Sequence, residues 1–344
     1  MDMIMCDITA LAHYRRASAP GGYGSLMTGA GLVPDDLVDR ALPTRRGRPD
    51  VAAPTASCLD RLEAHGVVDE AASVHVMVSA PEAKRNLRGI VCHQMPPSLA
   101  SHSLYPLVVH GRHLEGIYVC SPELALTQAL ARLDLIETLL LSYELCGTYR
   151  VLPEWTSYGC EPITSRAKLA GFARRETDVA HHAKLARISR WLLNGSASPP
   201  ETQIAAALML PRRLGGYGLP PCELNTELPV SGEAARLLGR LSITPDGYWR
   251  GARVPYEYDS KQFHSAEEQA RYDEKRRNAY AALGMVASIF KTEHLADPMQ
   301  FDAMARSLRR NLGLRAPVEP KGYALTNREL LTHLMKQRRH DERR

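Results

Sequence analysis

One stretch of forty residues, Pro245 to Gly284, constrains the fold of this chain more than any other: PDGYWRGARVPYEYDSKQFHSAEEQARYDEKRRNAYAALG. Two strand-like runs, TPDGYW and ARVPYEYD, flank Arg250-Gly251, and a helical pattern follows. A two-residue hairpin loop at Arg250-Gly251 predicts Trp249 opposite Ala252 and Asp246 opposite Pro255. Side chains alternate along a strand, so Glu257 and Asp259 share a face, with Cα atoms roughly 6 to 7 Å apart. Asp246 is then the diagonal cross-strand neighbour of Glu257. Three carboxylates on one sheet surface repel unless a cation sits between them, and an all-oxygen donor set suits Mg²⁺ or Mn²⁺. A divalent metal is therefore the cofactor expected. The expectation depends on register, because a slip of one residue sends Asp246 to the opposite face.

The order Pro245-Asp246, Glu257-x-Asp259, His264, then Asp273 with Arg276 and Arg277 resembles the very-short-patch-repair-like branch of the PD-(D/E)XK nuclease superfamily. It is most similar to bacterial proteins of unknown function carrying D-x-x-W…E-x-D-G…H…D…R-R…L…G, against DGYW…EYDS…H…D…RR…Y…LG here. The resemblance runs from Ser198 onward. It implies a restriction-endonuclease-like mixed sheet flanked by helices, and hydrolysis of a DNA phosphodiester. It also implies that Glu201, at the start of a helix ahead of the hairpin, approaches the metal centre; the plainer reading is that Glu201 complements the helix dipole in the first turn. Asp246 with Glu257 or Asp259 would hold the metal, and His264 would assist the attacking water. Arg276, Arg277 and Lys275 would face the phosphate.

This chain departs from the superfamily at three points. Asp259 stands where the name promises lysine, although the very-short-patch-repair-like branch lacks that lysine too. Ser260 replaces the usual glycine after the second acid, and Pro255 removes a ladder donor inside the strand. These departures bear on catalysis more than on fold. They keep a second function class open: a catalytically inactive DNA-binding regulator or antitoxin-like protein using the same fold.

The remainder of the chain reads as smaller pieces, and the expected class is α/β. Residues 1–70 form a helical head, one reading of which is a degenerate winged helix. Arg45, Arg46 and Arg48 there read as a solvated loop. Residues 71–150 form a small α+β module: SVHVMVS, LRGIVCHQM, SLYPLVVHG and EGIYVC are strand-like, and one helix is expected from Ser121 to Gly147. The strands followed by SPELALTQAL resemble the central region of AbiEi-type antitoxins. His93, one of the residues carrying that likeness, reads as a packed or surface histidine. Residues 151–197 are a basic helical connector, 198–315 the nuclease-like domain, and 316–344 a basic helical tail.

Composition adds bounds and no mechanism. A net charge of +5 and pI near 8.8 permit DNA as partner without requiring it. Seven cysteines without CxxC spacing argue against a zinc cluster or disulfide framework and fit a reducing cytoplasm. No run of eighteen apolar residues marks a membrane span, and GGYG near residue 215 lacks the GxGxxG spacing of a nucleotide-cofactor site. A protein partner, if there is one, is not named by any motif.

Overall fold

The structure, a computed structural model, describes residues 3–20, 51, 54, 56–69, 73–84, 89–96, 103–259 and 266–341. His264, Ser260 and the arginines at 45, 46 and 48 lie outside them. The chain divides into two compact units, Met1–Arg190 and Trp191–Arg344. Helices and mixed sheets in both make it an α/β protein.

The N-terminal unit is built on a five-stranded sheet in the order β3-β2-β1-β5-β4, from β1 (Met3–Met5), β2 (Val74–Val78), β3 (Ile90–Gln94), β4 (Leu104–Val109) and β5 (Arg112–Cys120). Strand β1 runs parallel to β5 and antiparallel to β2, and β2 is parallel to β3. The first residues therefore occupy the centre of this sheet, where the sequence reading places a helical head. All three residues of β1 are fully buried, as a central strand covered on both faces requires. Three apolar residues are too short a run to display a period.

Helix α1 (Asp7–Ala17) follows directly, and α2 (Ala56–Ala64) comes later. The expected single helix after Ser121 is two: α3 (Pro122–Ala129) and α4 (Leu135–Cys146). The break is made by Asp134. Its side chain accepts from the Ile136 and Glu137 N–H groups, and the Glu137 carboxylate reaches back to the Asp134 N–H, a complete capping box. Beyond α4, a hairpin of β6 (Tyr149–Val151) and β7 (Thr156–Tyr158) precedes α5 (Arg166–Arg175) and α6 (His182–Ile188). Arg150 is fully buried and donates to the carbonyls of Glu144, Gly147, Tyr149 and Glu161 and to Ser18 Oγ. It acts as an internal staple, gathering backbone acceptors that burial would otherwise leave unpaired.

The C-terminal unit opens with α7 (Pro199–Met209), in which every residue from Glu201 to Met209 is buried. A helix buried on all sides is a core element. Beside it stands a four-stranded mixed sheet in the order β13-β12-β11-β8, made of β8 (Glu223–Leu224), β11 (Gly247–Trp249), β12 (Val254–Asp259) and β13 (Ser288–Lys291). A two-stranded ladder of β9 (Leu228–Pro229) and β10 (Ser242–Ile243) accompanies helix α8 (Gly232–Leu238). Helices α9 (Ala266–Ala282), α10 (Thr292–Ala296), α11 (Pro298–Asn311) and α12 (Tyr323–Asp341) complete the unit.

A line of aromatic rings, Trp249, Tyr256, Phe290, Phe301 and Tyr217, fixes the sheet to its helices, with centroids 5.4 to 5.9 Å apart. The GGYG stretch belongs to this packing. A side chain on Gly215 would meet the Thr326 backbone, while Asn327 donates to the Gly215 carbonyl at 2.7 Å. The tail is thus partly structural: Tyr323, Leu330, Leu331 and Leu334 of α12 are buried.

Candidate functional site

The hairpin closes two residues later than the sequence predicts. Trp249 pairs with Val254, Tyr248 with Pro255 and Gly247 with Tyr256, so the loop is Arg250 to Arg253 and not Arg250-Gly251. Arg253 takes the left-handed φ of 56° that the longer turn demands. A displacement of two preserves the face of every side chain. It moves Asp246 from a diagonal position to one directly across from Glu257, and the Asp246 carboxylate accepts the Tyr258 N–H at 2.5 Å. The β12–β13 ladder begins at Tyr256↔Ser288, one residue beyond Pro255, so the missing N–H sits near the strand's start, where proline is tolerated.

Glu201 reaches the same place from α7. Ser198 caps that helix, its Oγ accepting the Glu201 N–H at 3.3 Å. The Glu201 carboxylate turns back over the cap, receiving the Ala197 N–H at 2.9 Å, Ser198 Oγ at 2.7 Å and Asn225 Nδ2 at 2.6 Å. Asn225 is itself anchored to the hairpin, its N–H donating to the Asp246 carbonyl at 3.3 Å. Asn225 is a site residue that the sequence does not reveal, because an isolated asparagine in a turn carries no spacing signal.

From α9, Arg276 donates to Glu257 and to the Thr244 carbonyl, and the Tyr280 hydroxyl donates to Glu257 as well. Arg276 is thus committed to an acid, where the sequence reading turns it toward phosphate. Lys275 and Arg277 on the same helix are exposed. Asp259 ends β12 opposite Lys291 and shares the Glu257 face by strand alternation.

Electrostatically the three acids form one group. Burial first, then the negative charges of Glu201 and Glu257, push the Asp246 carboxyl well above the usual aspartate range; the Tyr258 N–H and Arg276 pull the other way. Burial likewise raises Glu257 against the lowering effect of Arg276 and Tyr280, and raises Glu201 against its three donors. Glu257 and Glu201 are each 8% exposed, so water screens them little. Among the described residues, three carboxylates against the Arg276 guanidinium leave two formal negative charges in excess when all are ionised.

The acids are near one another without being drawn into a metal's coordination shell. Among the described residues, the one group of three potential metal ligands whose donor atoms all lie within 4.8 Å of one another is Asp7, His75 and His93, in the N-terminal unit. His93 is half-buried and stacked on His75 beside Asp7. No helix among the described residues is long and apolar enough to cross a membrane. In comparisons with known proteins, no family model, no curated protein and no solved structure matches this chain.

Proposed function

We propose that residues 198–315 form a metal-dependent DNA endonuclease of the very-short-patch-repair-like type, hydrolysing a phosphodiester bond. The observation that carries this reading is the gathering of Glu201 from a buried helix, Asp246 from just ahead of β11 and Glu257 from β12, with an excess of negative charge that a single divalent cation would neutralise. The donor set is entirely oxygen, which suits Mg²⁺ or Mn²⁺. Asp246 and Glu257, with Asp259 or Glu201 contributing, would hold it. Bound there, it would supply a Lewis acid for the phosphate oxygen and lower the pKa of a water.

The chain's own residues have separable tasks. Arg276 and Tyr280 fix the Glu257 carboxylate from one side, and the Tyr258 N–H fixes that of Asp246. Arg277 and Lys275, exposed on α9, would meet the phosphate backbone as positive charges. His264 is assigned the proton of the attacking water, accepted on an imidazole nitrogen.

A second reading, an inactive DNA-binding regulator, is favoured by two particulars. Glu257 already carries Arg276, and Glu201 already accepts from the Ala197 N–H and Ser198 Oγ of its own helix cap and from Asn225. One experiment separates the two. The full chain is incubated with supercoiled, nicked, mismatched and single-stranded DNA in Mg²⁺ or Mn²⁺, beside Asp246→Ala. Cleavage lost in the variant supports the endonuclease. DNA left intact, or cut equally by the variant, removes it; binding in EDTA with a steep salt dependence and no cleavage establishes the regulator.

A further inference from the structure

A second constellation, independent of the carboxylate site, lies in the N-terminal unit, where the chain leaves β1 beside the antiparallel β2 and its parallel neighbour β3. The Cys6 N–H donates to the His75 carbonyl at 2.9 Å as the last bond of the β1–β2 pair, so the chain leaves the sheet at Asp7. Asp7 adopts a φ of 55°, which few residues other than glycine take, and begins α1 at once. Its carboxylate is almost wholly enclosed, at 1% exposure. In the parallel β2–β3 pair Met77 stands opposite His93, which puts His93 on the same face as His75, one step along.

These three side chains converge. His75 Nδ1 lies 2.8 Å from His93 Nε2, and Asp7 Oδ2 lies 3.8 Å from the first and 3.6 Å from the second. The edges average about 3.4 Å. Ligands held at 2.0 to 2.1 Å in a tetrahedral shell are separated by about 3.3 Å. The triangle thus has the size that one small cation needs, apart from a half-ångström opening between the two imidazoles.

The surroundings orient these donors. The Arg132 guanidinium donates to Asp7 Oδ1, as does the Ile8 N–H at 2.6 Å, which leaves Oδ2 as the oxygen turned to the histidines. The Asp7 N–H is held by Gln128 Oε1 at 3.0 Å, and the His75 N–H by Thr9 Oγ1 at 2.8 Å. A carboxylate fixed through one oxygen and presented through the other is the arrangement in which outer partners set a metal ligand's direction.

We infer that Asp7, His75 and His93 form a binding site for a borderline divalent cation of the Zn²⁺ class, with three protein ligands and the remaining position open to water or an exogenous anion. Two imidazoles exclude the harder Mg²⁺ and Ca²⁺ as preferred occupants and suit zinc, cobalt, nickel or iron. Nothing in the nuclease reading uses these residues, and the inference stands or falls apart from it.

The test uses the full chain stripped with chelator and exchanged into metal-free buffer. Zn²⁺ is titrated in competition with a chromophoric chelator, and Co²⁺ is added separately to read its ligand-field absorption. The expected result is one saturable equivalent. Affinity should fall about 100-fold or more in His93→Ala and His75→Ala, beyond the usual cost of losing an outer partner. Asp246→Ala and Glu257→Ala should keep that equivalent, which separates this site from the carboxylate cluster. His93 is only half-buried, so His93→Gln, with its circular dichroism, serves if His75→Ala does not fold. Absence of a saturable equivalent, or equal affinity in folded His93 variants, would overturn the site and leave an imidazole-imidazole hydrogen bond beside an Asp7–Arg132 ion pair.

Discussion

Asp246→Asn should make the metal-free protein more stable while abolishing cleavage. The amide keeps an oxygen for the Tyr258 N–H, so the hairpin bond survives, and only the charge is removed. Two like charges on the order of 6 Å apart at an effective dielectric near 20 repel by about 3 kcal/mol. Asp246 faces two such partners, and Arg276 offsets part of the sum, which leaves a gain of about 2 kcal/mol at pH 8. For a domain of this size that corresponds to roughly 4 to 8 °C in melting temperature.

The pH dependence gives the sharper test. The folded Asp246 pKa is raised above its unfolded value near 3.8, so the native state binds more protons than the unfolded chain between the two values. Wild-type stability in EDTA therefore falls as pH rises through that window, and the penalty is constant above it. Asp246→Asn should escape most of this fall, its advantage shrinking to nothing below the unfolded pKa. Thermal melts in EDTA from pH 3.5 to 8 measure it, and added Mg²⁺ should raise the wild-type midpoint but not the variant's. A variant less stable than wild type at pH 8, or a gain undiminished at low pH, would refute the charge argument.

Three further outcomes are expected. Arg276→Met removes the cation paired with a nearly buried Glu257 and should cost about 3 kcal/mol at pH 7 by urea denaturation, and less at pH 4 where Glu257 protonates. Gly247→Ala places a methyl group 2.6 Å from Tyr256 Cδ1 and closer still to its neighbouring ring carbons; overpacking of about 1 to 3 kcal/mol should lower the denaturation midpoint and disturb Glu257 next door. Burial lowers the His13 pKa to about 4 from 6.5, so the stability it contributes is whole above pH 6.5 and is lost by about 3 kcal/mol as pH falls toward 4. In His13→Gln that part of the acid slope should disappear from pH-dependent melts.

How much was legible in the residues follows from the range over which each signal acts. The hairpin and its face were legible, since alternation survives a two-residue error in the turn, but the loop length was not: GARV has no Asn-Gly or Gly-Gly pair to fix it. Glu201 was placed only through a resemblance, and the Ser198 cap that holds its helix was not anticipated. The Asp134 capping box was open to view as D-x-x-E, yet the leucines on either side suggested one continuous helix. Strand β1 was invisible at three residues. The Asp7 cluster was equally so, since a parallel β2–β3 pair brings its histidines together across 18 residues with no spacing rule between them.

The two constellations differ in the chemistry that would fill them, and this decides how metal dependence must be read. The C-terminal acids offer only oxygen and a net charge deficit, conditions that favour a hard ion bound weakly and reversibly. Asp7, His75 and His93 offer two nitrogens and one oxygen in a nearly closed setting, conditions under which a Zn²⁺-class ion outlasts dilution and dialysis. A chelator strips both. Activity lost in EDTA therefore implicates neither site by itself, whereas restoration by Mg²⁺ alone assigns the dependence to the carboxylates. Restoration that needs Zn²⁺ first and Mg²⁺ second would mean that the N-terminal unit must be loaded for the protein to work, and in that case His93→Ala and Asp246→Ala would abolish cleavage through different metals.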